Sequence, residues 1–142
     1  MKAIRVATHG GPEVLRPEEV PDPVPGKGEV LIRIAAAGVN FYEVYQRTGQ
    51  YPAPTLFIPG SEASGVVESV GPGVTDVKYG DRVASVNVRG AYAELAIVPA
   101  DRLVMLHEGR PVQDLPAALA WLLREPKASG EGDGDVWLVG IP

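Results

Sequence analysis

Apolar and polar residues alternate over short stretches along most of this chain, and Gly or Pro interrupts each stretch before a helical period is established. Met1 to Val6 and Val14 to Val20 read as two short strands separated by the HGGPE turn, where Gly and Pro supply backbone angles that other residues resist. After the proline-rich lead-in PDPVPGKG, alternation sets Val30, Ile32 and Ile34 on one face of a third strand. SEASGVVESVG and DRVASV read as a strand pair joined by PGVTDVKYG. GAYAELAIVPADRLVML then predicts another strand, a turn at Pro99 to Asp101, and a short final strand of this group.

Two segments carry a helical pattern instead. NFYEVYQR, from Asn40 to Arg47, has no Gly or Pro; Asn40 is suited to cap a helix of about two turns that ends near Gly49. Farther on, DLPAALAWLLREP places Asp114 as an N-cap, Pro116 in the first turn, and Ala117, Ala120, Trp121 and Leu123 on a packing face closed by Pro126. A polar spacer, KASGEGDGD, leads into the apolar strand VWLVGI. The pattern predicts a mainly β fold with minor α: an antiparallel core, a short helix near 40–48, and a C-terminal helix plus strand returning onto the core. No internal repeat and no βαβ alternation is visible.

Composition narrows the function classes. At 142 residues, 45% of them hydrophobic and 22% charged, the chain is expected to form one globular domain, and no apolar run approaches the roughly 20 residues that span a bilayer. His9, Gly10, Gly11 and Pro12 interrupt the amino terminus before a signal-peptide core can form, so a cytoplasmic protein is expected. With no cysteine, the sequence offers no disulfide, thiolate nucleophile or sulfur metal ligand. A net charge of -5 with scattered Lys and Arg argues against nucleic acid as a partner.

AAAGVNFYEVYQRTGQY, IPGSEASGVVESVGPGVTDVKYGDRV and GAYAELAIVPADRLV, in that order and spacing, closely resemble the amino-terminal domain of quinone oxidoreductases, the zeta-crystallin-like branch of the medium-chain dehydrogenase/reductases. The resemblance covers residues 1–106 and implies a GroES-like, partly open β-barrel that forms the substrate side of a cleft. It also implies NADP as the family cofactor, held by a Rossmann domain forming the other wall. Here DRLVML passes instead to residues 107–142, which are similar to the helix and strand that return to the catalytic domain in those relatives. No G-x-G-x-x-G turn opens a helix, so no nucleotide-binding domain and no cofactor site are expected on this chain.

The same resemblance sets the candidate site. Zinc-dependent relatives have a cysteine where this chain has Asn40 and a histidine where it has Ser61, so a catalytic zinc is not expected. Asn40, Glu43 and Tyr45 match positions where quinone oxidoreductases place polar residues facing cofactor and substrate, and they are the expected catalytic group. Tyr42, Tyr51 and Glu62 are the expected substrate contacts. Asn40 and Glu43 stand one helical turn apart and share a face. A tyrosine hydroxyl can stabilise a developing enolate, and a carboxyl of raised pKa can act as a base. Plainer roles exist for each: Asn40 as a cap, Glu43 and Arg47 as a surface ion pair, Tyr45 as a core residue, Glu62 as an acceptor for nearby amides, and His9 and His107 as surface or turn residues.

These readings favour a cofactor-independent enzyme acting on a conjugated carbonyl of quinone, enone or polyketide type, by proton transfer leading to cyclisation, isomerisation or conjugate addition. Alternatives are one half of an NADPH-dependent quinone or enoyl reductase, its Rossmann domain supplied in trans or removed by engineering, and a non-catalytic ligand-binding module. An apolar cleft face without its usual cover is expected to pair in a homodimer.

Overall fold

The structure, a computed structural model, describes residues 1–106 and the backbone of residues 137–140. The first strands are Lys2–Arg5 (β1) and Arg16–Glu19 (β2), which pair antiparallel with Lys2 opposite Glu19. Between them Pro12–Val14 forms a single 3-10 turn, with proline at a position where no N–H is needed. Glu29–Val39 (β3) is the longest strand and leads into the helix Phe41–Thr48 (α1). Ala63–Val70 (β4), Arg82–Ser85 (β5), Leu95–Pro99 (β6), Val104–Met105 (β7) and Trp137–Gly140 (β8) follow.

The main sheet runs β6-β3-β4-β5-β7, with β8 added to β3. Both edges of β3 are used. β4 lies antiparallel along one edge; β6 covers the other from Glu29 to Arg33, and β8 continues along it from Ala36 to Val39. A returning late strand is therefore present on the antiparallel core, and it pairs parallel to β3. The sheet does not close on itself, in keeping with a partly open β fold.

The predicted face of β3 forms the core. Val30, Ile32 and Ile34 are buried together with Val67, Val83 and Val98. Each such side chain contributes about 1.5–3 kcal/mol by leaving water. The ladder between β3 and β4 shifts register between Ile34 and Ala36. Gly65 allows the close approach there, since a Cβ on it would stand 2.0 Å from the Arg33 carbonyl oxygen.

α1 begins and ends as its sequence predicts. Asn40 is extended at the N-cap, and Gly49, at φ 82, turns the chain out of the helix in the left-handed conformation that glycine adopts without a Cβ clash. Among the described residues no helix is long and apolar enough to cross a membrane. The predicted helix over residues 114–126 and the spacer over 127–135 lie outside the described residues, as do His107 and Trp121.

Candidate functional site

α1 presents its faces in the opposite sense to an ordinary amphipathic helix. Glu43 and Arg47 point inward, Glu43 with 4% of its surface exposed, while Phe41, Tyr42 and Tyr45 are exposed. The surface ion pair expected between Glu43 and Arg47 is therefore corrected. The two do share a face, but each takes a separate, partly buried partner. The Arg47 guanidinium donates to the Gly10 carbonyl at 2.7 Å, and the Gly10 N–H donates to the Arg47 carbonyl at 3.0 Å.

Glu43 spends both carboxylate oxygens on fixed donors. Oε2 accepts from the Asn40 N–H at 2.9 Å, closing a capping box at the start of α1. Oε1 accepts from the Ser61 N–H at 3.0 Å and from the Ser61 hydroxyl. The carboxylate thus ties the helix to the segment entering β4, and it keeps no free oxygen for a proton from a ligand.

Glu62 is different. Its Oε2 is buried and has no hydrogen-bond partner among the described residues. Burial pushes the Glu62 carboxyl above the ordinary range, a hydrogen bond from the Asn40 side chain opposes this, and the charge of Glu43 adds to it. Gly38 makes room for this side chain: a Cβ there would stand 2.6 Å from Glu62 Oε2. Asn40, Glu43 and Glu62 are therefore brought together, with Ser61 as the fourth member.

The predicted tyrosines gather separately, on the outward face. Phe41 and Tyr45 have ring centroids 6.4 Å apart, Tyr45 and Tyr51 meet edge to face at 5.1 Å, and Tyr51 and Tyr42 lie 5.8 Å apart. The Tyr51 N–H donates to the Tyr45 carbonyl at 3.0 Å, which fixes the loop after α1 against the helix. The alternative of Tyr45 as a core residue is corrected by its exposure of 37%. His9 is exposed beside Gly49, the turn position foreseen for it.

Sequence reasoning did not find three members of this region. Ser61 carried a signal only as the position where zinc-dependent relatives have a histidine; its bond to Glu43 spans 18 residues. Phe41 was given no role by the sequence and is 72% exposed. Tyr92, in GAYAE, is buried, and its hydroxyl has no partner among the described residues. Burial, then the charges of Glu43 and Glu62, push that phenol well above the ordinary tyrosine range.

Asn40 and Ser61 offer an amide and a hydroxyl in place of thiolate and imidazole, and no cluster of three metal-binding side chains occurs among the described residues. The start of α1 is closed by the Glu43 carboxylate, which accepts the Asn40 N–H.

Residues 26–108 match the alcohol dehydrogenase GroES-like domain. Quinone oxidoreductase of Pseudomonas aeruginosa is 43% identical over 120 residues, covering 83% of this chain and 37% of that protein. The Mus musculus quinone oxidoreductase is 46% identical over 112 residues, covering 76% of this chain and 34% of that protein. The solved structure of mycobacterial Rv1454c complexed with NADPH superposes with a TM-score of 0.75 at 47% identity, over 78% of this chain and 35% of that one. The chain thus spans about a third of the length of the curated relatives it matches. With more than half of its residues inside the matched domain, the chain belongs to the alcohol dehydrogenase GroES-like domain family and is similar to the catalytic domain of the quinone oxidoreductases.

Proposed function

We propose that this chain binds a conjugated carbonyl compound of quinone, enone or polyketide type on the outward face of α1 and rearranges it by proton transfer, without a hydride donor of its own. The observation that carries this reading is the run of contacting rings Phe41, Tyr45, Tyr51 and Tyr42, exposed on and just after the helix that Asn40 begins. Planar conjugated ligands stack on such rings, and a tyrosine hydroxyl at the edge donates to the carbonyl oxygen as enolate charge develops. Isomerisation, cyclisation and conjugate addition then need a proton taken from carbon and returned elsewhere, with no net change in electrons. Glu62 takes this role because burial holds its carboxyl above the ordinary range beside the Asn40 side chain, while Glu43 bonds to the Asn40 and Ser61 N–H groups.

A second reading is supported by the share of the relatives that the chain covers and by the NADPH in the solved Rv1454c structure. In it, a nucleotide-binding domain supplied in trans closes over the same aromatic face, and the tyrosines serve hydride transfer.

One titration separates the two readings. In the first, 1,4-naphthoquinone or 2-cyclohexenone shifts the NMR signals of the Phe41, Tyr42, Tyr45 and Tyr51 rings, and Tyr45→Phe weakens binding about tenfold through the lost hydrogen bond. Saturable micromolar binding of NADPH to this chain alone would overturn the cofactor-free reading. Absence of any ring shift with either carbonyl probe would remove the aromatic face as a site.

A further inference from the structure

The outward face of α1 carries one polar contact that ring packing does not explain. Gln46 Nε2 donates to the Tyr42 hydroxyl oxygen at 3.2 Å, across one helical turn. Neither residue is needed to anchor the helix, since Glu43 and Arg47 hold its inner side. Tyr42 is the last ring of the aromatic run: its centroid lies 5.8 Å from that of Tyr51, which in turn meets Tyr45 at 5.1 Å. The polar contact therefore marks one end of the run, with Tyr42 47% exposed and Gln46 half-buried.

This bond decides where the hydroxyl hydrogen of Tyr42 points. Conjugation keeps a phenol O–H in the plane of its ring, on one side of the C–O bond or the other. Gln46 occupies the accepting side of the oxygen, so the hydrogen turns away from the amide and is free to donate. The amide oxygen, Gln46 Oε1, only accepts. Because it shares a carbon with Nε2, the bond that holds Nε2 against Tyr42 also holds Oε1 within reach of any group that meets the Tyr42 hydroxyl. A donor and an acceptor kept side by side are complementary to a hydroxyl group, which accepts with its oxygen and donates with its hydrogen. A carbonyl or an ether oxygen uses the donor alone.

We propose that Tyr42 and Gln46 form a hydroxyl-reading subsite at the end of the aromatic run, which favours conjugated carbonyl compounds that carry a free hydroxyl, such as phenolic ketones. The inference rests on the carbonyl reading above and narrows its ligand class. The conjugated frame stacks on the rings, its hydroxyl lies at Tyr42, and its carbonyl is left for the Tyr45 end. Tyr42 and Gln46 set affinity and orientation; no bond is made or broken at them.

The test titrates the chain with 6-hydroxy-1-tetralone, 6-methoxy-1-tetralone and 1-tetralone, followed by the NMR signals of the four rings. The hydroxy ketone is expected to bind about fivefold more tightly than the methoxy ketone, whose oxygen accepts but cannot donate. Gln46→Met keeps the length and helix propensity of the side chain without its polar atoms, and it brings that ratio to within about twofold, as does Tyr42→Phe. Tyr79→Phe, at an exposed tyrosine outside the run, keeps the ratio. A pair that merely stabilised the helix would move the ratio in neither variant. A ratio below about twofold in the unaltered chain, or one that Gln46→Met or Tyr42→Phe leaves in place, overturns the subsite while the carbonyl reading stands. Absence of ring shifts with all three ketones overturns both together.

Discussion

Glu43→Gln distinguishes a brace from a base. In the structure the carboxylate accepts the Asn40 N–H at 2.9 Å, the Ser61 N–H at 3.0 Å and the Ser61 hydroxyl, and it is almost wholly buried. Glutamine keeps one carbonyl oxygen and replaces the other with an NH2 group. If the carbonyl stays with Ser61, the Asn40 N–H faces a donor; if it turns to Asn40, the Ser61 N–H does. Either way one buried backbone N–H loses its acceptor, at about 1–3 kcal/mol, and the remaining bonds lose their charge assistance. The expected loss is about 2–3 kcal/mol, or a fall in Tm of about 6–10 °C for a chain of this size. Urea unfolding followed by circular dichroism measures it, with the midpoint falling and the slope unchanged. Ser61→Ala removes part of the same set, so the double variant loses less than the sum of the two single losses by about 1 kcal/mol. A loss below about 0.5 kcal/mol for Glu43→Gln would refute the reasoning, because it would mean that the carboxylate is solvated and free to accept a proton from a ligand.

Two further predictions concern packing and charge. Gly65→Ala drives a Cβ to 2.0 Å from the Arg33 carbonyl oxygen and is expected to cost at least about 3 kcal/mol, whereas Gly73→Ala meets nothing within 4 Å and costs only its left-handed backbone strain of about 1 kcal/mol; equilibrium unfolding of the two variants checks the contrast, and equal losses would refute it. Burial raises the Glu62 pKa in the folded state, so the contribution of this group is fully favourable below its unfolded value and is lost as the pH rises through the folded value. The stability of Glu62→Gln relative to the unaltered chain should therefore increase with pH across that interval. Comparing the two chains cancels the opposite trend of Glu68, which Arg33 holds below the ordinary range.

What was legible in the sequence follows from which interactions are local. Asn40 as a cap, Gly49 as a stop and the shared face of Asn40 and Glu43 depend on a few neighbouring residues, and all three are present. The inner face of β3 was legible because Val30, Ile32 and Ile34 alternate against a buried layer. Periodicity does not say which face of a short helix points inward. Hydropathy alone would bury Phe41 and Tyr45 and expose Glu43 and Arg47, and the structure does the reverse because Ser61 and Gly10 supply hydrogen-bond partners for the inward side chains. Those partners lie 18 and 37 residues away in the chain, beyond the reach of a local pattern. The parallel pairing of β8 was equally hidden, since an apolar strand carries no mark of its direction.

The inverted helix also explains why the two polar anchors and the aromatic face belong to one design. Burying a carboxylate and a guanidinium is costly unless each is fully hydrogen-bonded, and exposing four contacting rings forfeits the burial that would otherwise stabilise the helix. Natural chains break local rules of this kind where a surface has work to do. The anchors hold α1 at Gly10 and at Ser61, so the rings are carried on a helix tied down on its inner side. A ligand meeting such a face finds the rings already in place, and little of the binding energy goes into ordering them. The two sets should therefore separate in experiment. Substituting Glu43 or Arg47 lowers stability first and binding only as a consequence, whereas Tyr45→Phe changes carbonyl binding with a stability change within about 0.5 kcal/mol, since the hydroxyl of a partly exposed ring remains solvated when no ligand is bound.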